Sequence, residues 1–421
     1  MKYLLQFLLW FLYFPLIELI DTFFFWIPAL SKRIEFEKKN EQDPLCESFK
    51  YTHQKADLCF EFSSEGEYQQ IAALVQDALS CHKKIELVFF SPSVEKAVVD
   101  LAHKFPDQIR YLRYPIARFS PFFSARSFSK WVSSHELILV RYDLFPDFLI
   151  WALNPQHSLK IIWATFKKER LKKRKVPFYK RCFFNAAKTI IFASAADQSY
   201  GKDIGLNGKV YDFRIEQIRR RVEQKENKFE SHFDGYKNFF EILNSYPREK
   251  RLLFGNAWPS DLFLLKHLPD DYLIVIVPHL LNPDIIKQFE EGLKQLKRNS
   301  LTLTSHSQVG ESQSYILNIK GILCELYGDF GKSYVGGGFG VSVHSILEPL
   351  VSGTDEISCG IVNHRSTEFD LAVSMDKLTV VKDENDFLEW LIKPYSRLDS
   401  KDQIGVFFHQ YPEFRKDVTS C

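Results

Sequence analysis

The chain has 421 residues, too many for one ordinary hydrophobic core, so its length predicts two domains. A net charge of +2 on 55 basic and 53 acidic residues carries little information by itself, so only the distribution of charge along the chain is informative. The seven cysteines are scattered without CxxC spacing, which argues against a disulfide framework or a zinc site and favours a reducing compartment.

The first thirty residues are strongly apolar and predict a membrane-anchor helix over residues 1–33. Tyr3–Ile17 alone is shorter than the roughly 30 Å hydrocarbon layer, but Ile20–Leu30 adds the missing length. Glu18 and Asp21 share one helix face, so an in-plane or tilted helix fits the pattern as well as a full span does. Four basic residues directly after the segment indicate that the bulk of the protein is cytoplasmic. They are Lys32, Arg33, Lys38 and Lys39.

A polar linker over residues 34–52 leads to a region in which short apolar strands alternate with helical patterns. This alternation is typical of a parallel sheet covered by helices on both faces, and it predicts an N-terminal α/β domain over residues 53–215. The seven strand-like segments are 57–62, 84–90, 108–115, 136–143, 159–166, 188–195 and 209–215.

A long polar helical stretch, Glu216–Ser245, opens a second α/β domain predicted over residues 216–385. The final helix, from about Phe387 onward, belongs to a helical segment over residues 386–421 that could cross back to the first domain. Together the patterns predict two doubly wound Rossmann-like domains, with ligand sites outside the carboxyl ends of their strands. The strand-like segments of the second domain are 251–257, 272–279, 301–306, 314–321, 332–338 and 356–362.

A glycine-rich turn in the second domain predicts a phosphate site. Gly336, Gly337 and Gly338 follow a strand-like segment directly, and Gly340 comes two residues later. Without Cβ atoms, such a turn lets backbone N–H groups approach an anion, and the next helix start offers more of them. Glu348, early in that helix, could accept hydrogen bonds from a ribose diol. The turn matches neither GxGxxG nor GxxxxGK[ST], so plain turn chemistry is the competing interpretation.

A carboxylate at the end of the first strand is a candidate general base. Glu67 lies where a doubly wound domain displays reactive groups, and burial in a cleft would suit a base. The structural alternative is a helix start: Ser63 or Ser64 would be the N-cap, and Glu67 would complete a capping box with Ser64.

These two segments resemble motifs of the Kdo transferases, the 3-deoxy-D-manno-octulosonic acid transferases of lipopolysaccharide synthesis. Tyr334–Pro349, YVGGGFGVSVHSILEP, is similar to the family signature VGGGFG…HN.LEP, with Ser345 where the family usually has Asn. Ser64–Glu67 matches the S-x-G-E motif.

Further segments resemble the family in the same order, and the resemblance covers most of residues 55–375. These intermediate motifs are eroded. They are Arg141–Asp147 against ETELWPN, with Arg141 at the first acidic position; Gly255–Asp261 against the GSTWPxDE turn, with Asn256, Ala257 and Leu262 departing; Ile276–His279 against a segment ending PH or PRH; Cys359-Gly360 against Gly-Pro; and Glu368 against a loop glutamate.

The resemblance implies a GT-B type glycosyltransferase whose two domains face a cleft. It would move Kdo from CMP-Kdo to a lipid A precursor with inversion, at the cytoplasmic face of the bacterial inner membrane, and Glu67 would take the acceptor proton. No cofactor is expected, and no metal, because no metal-ligand spacing or DxD-like motif is present. The implied donor positions are Gly255, Asn256, Trp258, His279, Gly336, Gly337, Gly338, Phe339, Gly340, His344, Ser345 and Glu348.

Acceptor and membrane contacts are predicted from basic residues of the first domain. Phe166–Arg181 carries nine basic residues and one acid, which suits anionic inner-membrane lipids or an anionic acceptor, although a solvated face is the ordinary role of such a run. No aromatic stacking module accompanies it, so nucleic acid is not expected as a partner. The candidate acceptor residues are Ser64, Gly66, Arg113, Arg118, Arg126, Lys167, Lys168 and Arg170.

Two rival functions fit the same sequence. One is a divergent relative with another donor or acceptor, indicated by the departures at Ser345, Asn256 and Cys359-Gly360. The other is a non-catalytic membrane scaffold with the same fold, which predicts no nucleotide binding and is disfavoured by the presence of both Glu67 and Glu348.

Overall fold

The computed structural model describes residues 55–114, 128–141, 144–166, 178–340, 343–361, 367–394 and 400–421. The chain divides into two compact units. Unit 1 takes the chain up to Gln217 together with Gln410–Cys421, and unit 2 is Ile218–His409. The predicted anchor helix and linker, residues 1–33 and 34–52, lie outside the described residues. Within the described ranges, no helix is long and apolar enough to cross a membrane.

Unit 1 is built on a seven-stranded parallel sheet in the order β3-β2-β1-β4-β5-β6-β7. Three of its strands, Leu58–Phe62, Ile85–Phe89 and Ile109–Arg113, are buried along their whole length, as expected where helices cover both faces of a parallel sheet. The strands are β1 Leu58–Phe62, β2 Ile85–Phe89, β3 Ile109–Arg113, β4 Glu136–Val140, β5 Ser158–Ala164, β6 Ala187–Phe192 and β7 Lys209–Val210.

The helices of unit 1 fall in the intervals between these strands and after the last one. They are α1 Glu65–Ser80, α2 Pro92–Lys104, α3 Phe128–Trp131, α4 Pro146–Ala152, α5 Phe178–Ala186, α6 Ala195–Asp203 and α7 Arg214–Glu223, which continues into unit 2.

Unit 2 repeats the plan with seven parallel strands in the order β10-β11-β9-β8-β12-β13-β14. They are β8 Arg251–Ala257, β9 Leu273–Pro278, β10 Ser300–Leu303, β11 Ser314–Leu317, β12 Lys332–Val335, β13 Glu356–Cys359 and β14 Leu378–Val380. The α-helices are α8 Lys225–His232, α9 Tyr236–Ser245, α10 Pro283–Gln295, α11 Leu323–Leu326, α12 Leu347–Ser352, α13 Thr367–Ser374, α14 Glu384–Ile392 and α15 Ser400–Thr419. The 3₁₀ turns are Arg248–Lys250, Pro259–Leu265 and Tyr327–Asp329.

The polar stretch predicted as one helix over Glu216–Ser245 forms parts of three helices instead. The second break falls near Gly235, where an added Cβ would lie 2.6 Å from the Ser307 carbonyl oxygen. That close approach turns the chain onto the loop after β10 and ends the helical run.

The last helix, α15, starts in unit 2, and its final residues belong to unit 1. There the Tyr411 hydroxyl donates to Asp77 at 2.7 Å, and the Phe414 ring stacks on Tyr211 at 4.5 Å. The Lys160 ammonium donates to the carbonyl of Val418 at 2.8 Å. The chain end therefore completes the surface of the first unit.

Each sheet has a point at which the chain passes from one half of the sheet to the other and the strand order reverses. In unit 1 it lies between β1 and β4, and in unit 2 between β8 and β12. Ligands of open α/β sheets bind outside the carboxyl ends of the strands at such points. The loops after these four strands are therefore where a site is expected on each unit.

Candidate functional site

Glu67 lies at the reversal point of unit 1, one turn into α1 and just after β1. Its side chain is 6% exposed, and its Oε2 accepts a hydrogen bond of 2.6 Å from the backbone N–H of Ser63. Its Oε1 lies 3.6 Å from Nη1 of Arg141, the residue that follows β4. The segments after the two strands that flank the reversal point thus bring the carboxylate of Glu67 close to the guanidinium of Arg141.

The capping interpretation of this glutamate is partly right. Ser64 is the N-cap of α1 in extended conformation, but its side chain makes no capping hydrogen bond. The Glu67 carboxylate accepts from the backbone N–H of Ser63. A capping box would require it to accept from the N–H of the N-cap residue, Ser64. At Gly66 an added Cβ would come no closer than 4.0 Å to the Ser64 Oγ, so the nearby packing leaves room for a side chain there.

The glycine turn of unit 2 is organised by a buried aspartate, Asp261. Its Oδ2 accepts from the N–H groups of Trp258 at 2.8 Å and Gly337 at 3.3 Å, and its Oδ1 accepts from the Tyr334 hydroxyl at 3.2 Å. Burial raises the pKa of this carboxyl, and the three donors offset part of that effect. Asp261 therefore ties the loop after β8 to the loop after β12.

Each glycine of the turn has its own structural reason. Gly337 has a φ of 94°, in the left-handed region. An added Cβ would lie 2.7 Å from the Ala257 Cα at Gly336, and 2.5 Å from the Gly360 Cα at Gly338. At Gly340 an added Cβ would meet nothing within 4 Å. Packing against neighbouring loops thus explains the first three glycines without a ligand.

The segment before the turn, Gly255-Asn256, is also constrained by packing and backbone conformation. Gly255 gives room to the buried Tyr327 ring, since an added Cβ would lie 2.7 Å from its Cζ. Asn256, at a β-bulge, has a left-handed φ of 51°, a conformation that asparagine tolerates better than most residues.

Three predicted donor residues form one aromatic stack at the carboxyl edge of the sheet. His279 lies between Trp258, at 5.1 Å between ring centroids, and His344, at 4.0 Å. Burial lowers the pKa of both histidines, and the charge of His279 lowers that of His344 further. Both rings are therefore neutral near pH 7. The buried Nε2 of His344 has no hydrogen-bond partner among the described residues.

The start of helix α12 corrects part of the phosphate prediction. The N–H groups of Ile346 and Leu347 donate to Oε2 of the buried Glu368, at 3.1 and 3.4 Å. Together with the Gly337 amide, which donates to Asp261, these donors are already used within the protein. The amides left to consider for a phosphate are those from Gly338 to Gly340.

Arg221 is a site residue that the sequence did not single out. It makes a two-point hydrogen bond to the buried Glu325, at 2.9 and 3.1 Å, and its Nη1 lies 3.6 Å from Oε1 of Glu348. Burial disfavours its charge, but Cys324 and the two glutamates raise its pKa overall, so the guanidinium is fixed and charged. Its only sequence signal was a run of three arginines on α7.

The remaining predicted positions are less engaged with these groups. Phe339 packs edge-on to Phe263 at 5.0 Å, and Ser345 is half-buried beside His344. Arg113, a candidate acceptor residue, is buried. It is the last residue of β3, is 4% exposed, and donates from Nε to the Phe90 carbonyl at 3.1 Å. Outside the described residues lie Arg118, Arg126, Lys167, Lys168 and Arg170. In the described ranges no group of three or more His, Cys, Asp or Glu residues could hold a metal ion.

Two consecutive Rossmann-like units, each with one reversal point, define a fold of the GT-B type. No family model and no curated protein sequence matches the chain. A solved UDP-N-acetylglucosamine 2-epimerase shares the fold over 86% of this chain and 98% of its own, with 11% identity and a TM-score of 0.50.

Two further solved structures are similar at lower TM-scores. The UDP-GlcNAc 2-epimerase from Neisseria meningitidis, bound to UDP-GlcNAc, covers 86% of this chain and 94% of its own, with 13% identity and a TM-score of 0.49. The C-terminal CMP-Kdo binding domain of WaaA from Acinetobacter baumannii covers 49% of this chain and 94% of its own, with 15% identity and a TM-score of 0.29.

Proposed function

We propose that this chain is a Kdo transferase-like glycosyltransferase that moves Kdo from CMP-Kdo to a lipid A precursor at the cytoplasmic face of the bacterial inner membrane. One observation carries the proposal. Four of the segments that resemble the family, though far apart in sequence, follow the four strands that flank the reversal points, where α/β units bind ligands; they are 64–67, 141–147, 255–261 and 334–349. Fold alone would not require this coincidence.

The donor half of the proposed site is on unit 2. The stack of Trp258, His279 and His344 offers neutral aromatic surface of the kind that bases stack on. Because Asp261 ties Trp258 to the glycine turn, a nucleotide on the stack would have its phosphate near the amides of Gly338–Gly340. Glu348, held beside Arg221, suits a ribose diol.

The acceptor half is on unit 1. In the proposed reaction the acceptor hydroxyl gives its proton to Glu67, and the resulting oxygen attacks the anomeric carbon of Kdo. The bond from that carbon to the phosphate of CMP breaks, and CMP leaves with the bonding electrons. Stabilisation of the leaving phosphate is expected to be a large part of the rate enhancement. The proposal, like the resemblance on which it rests, includes no cofactor and no metal.

One departure from the family motif has a local explanation that favours a maintained site. Gly360 stands where the family has proline, and its N–H donates to the Tyr334 hydroxyl, which in turn donates to Asp261. Proline has no N–H to give. Gly360 therefore supports the hydrogen bonds of Tyr334 and Asp261 that order the glycine turn.

The direct test is to incubate a membrane fraction containing the protein with CMP-Kdo and lipid A precursor and to measure the lipid mass. A mass increase of one Kdo or more is expected. Glu67→Gln should lower the rate at least about 100-fold, the usual contribution of a general base. Glu65→Gln is the matched control, because Glu65 is an exposed acid on the same helical turn. Full activity of Glu67→Gln would show that this carboxylate is not the base.

A second candidate is a GT-B transferase for another nucleotide sugar. It is favoured by the departures inside the donor site, Asn256 and Ser345. CMP, UDP and GDP can be compared by thermal shift, because a ligand that binds only the folded state raises its melting temperature. Stabilisation by UDP or GDP alone would overturn the CMP assignment. No stabilisation by any of the three would favour the non-catalytic scaffold.

A further inference from the structure

A group of side chains around Trp163, near the end of β5, is not used by the proposed reaction. The guanidinium carbon of Arg141 lies 3.9 Å from the centroid of the indole, and that of Arg214 lies 4.8 Å from it. Arg141 follows β4, and Arg214 begins α7 shortly after β7. Three separate segments at the carboxyl edge of the unit 1 sheet therefore bring two cations onto one aromatic side chain.

The indole is buried and its polar atom is unsatisfied within the described part of the chain. Trp163 is 5% exposed, and its Nε1–H has no hydrogen-bond acceptor among the described residues. A buried donor of this kind is unfavourable unless an acceptor completes it. With two guanidinium groups beside it, the acceptor that fits best carries negative charge.

The backbone is also held in an uncommon conformation at this place. Arg141 has a φ of 71° and Trp163 a φ of 54°, both in the left-handed region that large side chains rarely adopt. Such conformations persist where the surrounding structure imposes them, and they cluster at functional sites.

The two arginines lie beside different carboxylates. Nε of Arg214 donates to both carboxylate oxygens of Asp212, at 2.9 and 3.1 Å, so the guanidinium is fixed. Nη1 of Arg141 lies 3.6 Å from Oε1 of Glu67. The side chain of Arg141 is 31% exposed and that of Arg214 is 18% exposed. A small anion can therefore approach both from solvent.

We propose that Arg141, Arg214 and the indole N–H of Trp163 form a subsite for an oxyanion, either a phosphate or a carboxylate group, beside Glu67. If the proposed transfer reaction is right, this oxyanion belongs to the acceptor, and binding it sets the hydroxyl against the base. Arg141 would lie between the oxyanion and Glu67 and reduce the repulsion between the two negative charges.

The test uses the full chain in detergent, labelled with 5-fluorotryptophan. The seven tryptophans give separate fluorine signals, and Trp163→Phe and Trp258→Phe assign two of them. Inorganic phosphate is added in one arm and acetate in another, against chloride at equal ionic strength. We expect the Trp163 signal to shift and saturate with phosphate or acetate, and the more effective anion identifies the group.

Substitutions then assign the shift to the arginines. Arg141→Gln and Arg214→Gln should each weaken the anion affinity about tenfold or more, because each removes a charge-assisted hydrogen bond. Arg219→Gln is the matched control, since it removes the same charge from the helix that carries Arg214 and should change nothing. If either site variant fails to fold, judged by its other fluorine signals, the second one decides the outcome.

The proposal is overturned if the Trp163 signal shifts no more with phosphate and acetate than with chloride, or if both arginine variants keep the full response. Failure of the transferase proposal would look different. In that case CMP would leave the Trp258 signal of unit 2 unchanged, whatever the Trp163 signal did.

Discussion

Asp147 is a buried titratable side chain of unit 1. It lies at the start of α4, is 2% exposed, and is hydrogen-bonded to the Tyr114 hydroxyl. Burial raises the pKa of this carboxyl well above its ordinary value, and the hydrogen bond offsets only part of that rise. Asp261, by contrast, has three donors around its charge. The effect of a buried carboxyl on the stability of the fold therefore depends on its hydrogen-bond donors as well as on its burial.

Asp147→Asn should stabilise the protein at pH 7. The folded carboxyl keeps its proton to a higher pH than the unfolded one, so its contribution to stability is lost as the pH rises above about 3.9. An amide does not ionise, so we expect the variant to gain about 1–3 kcal/mol at pH 7 and little near pH 4. Denaturant unfolding at both pH values measures it, with the exposed Asp100→Asn as control. An equal effect at both pH values would contradict the prediction.

The histidine stack predicts the opposite pH dependence. The pKa values of His279 and His344 are lowered in the folded state, so folding resists protonation that the unfolded chain accepts below about pH 6.5. Acidification from pH 7 to pH 5 should therefore lower the melting temperature more in the native protein than in His344→Gln. The control is His267→Gln, at an exposed histidine outside the stack, and it should behave like the native protein. Parallel curves for the native protein and His344→Gln would exclude the stack as the cause.

Among the structural elements, the turn after β12 contains glycines that are confined by packing and a glycine that is not. Gly338 is confined by the backbone of Gly360, whereas Gly340 has open space where a Cβ would be. We expect Gly338→Ala to destabilise the protein by about 1–3 kcal/mol, the usual cost of overpacking, and to weaken binding of CMP. Gly340→Ala should change stability by less than about 0.5 kcal/mol. Denaturant unfolding and CMP titration measure both, and equal losses in the two variants would refute this assignment.

The elements themselves were largely predictable. Thirteen strand-like segments correspond to β1–β13, because continuous apolar runs are a strong signal for buried parallel strands. The short edge strand β14, Leu378–Val380, was missed, since three residues without a buried side chain carry little pattern. The glycine turn was placed correctly, but most of its geometry serves packing. Its organiser, Asp261, is far away in sequence, and no local pattern reveals such a partner.

For the whole molecule, the sequence predicted two α/β domains, and two parallel seven-stranded sheets confirm that plan. It did not predict the pairing of Glu67 with Arg141 or of Glu348 with Arg221. These contacts join segments that only the strand order brings together. In the sequence, Arg141 at a position where the family has an acidic residue was interpreted as the loss of a motif residue. In the structure, this arginine lies 3.6 Å from the candidate base Glu67.

Removal of residues 410–421 should destabilise unit 1 selectively. The deletion exposes surface covered by three buried side chains, Tyr411, Phe414 and Val418, each worth about 1.5–3 kcal/mol on burial. That sum is a large part of a typical folding free energy of 5–15 kcal/mol. Limited proteolysis should cut unit 1 first, while fragments of unit 2 persist. Deletion of Ser420-Cys421 alone is the control, and equal protease resistance of the native and shortened chains would contradict the prediction.

The return of α15 to unit 1 also sets an order for biosynthesis. Unit 2 is continuous in sequence and is synthesised before residues 410–421, which belong to unit 1. During that interval the Tyr211 and Phe213 surface, later covered by Phe414, is open to water or to a chaperone. Unit 1 is therefore begun before unit 2 and completed after it.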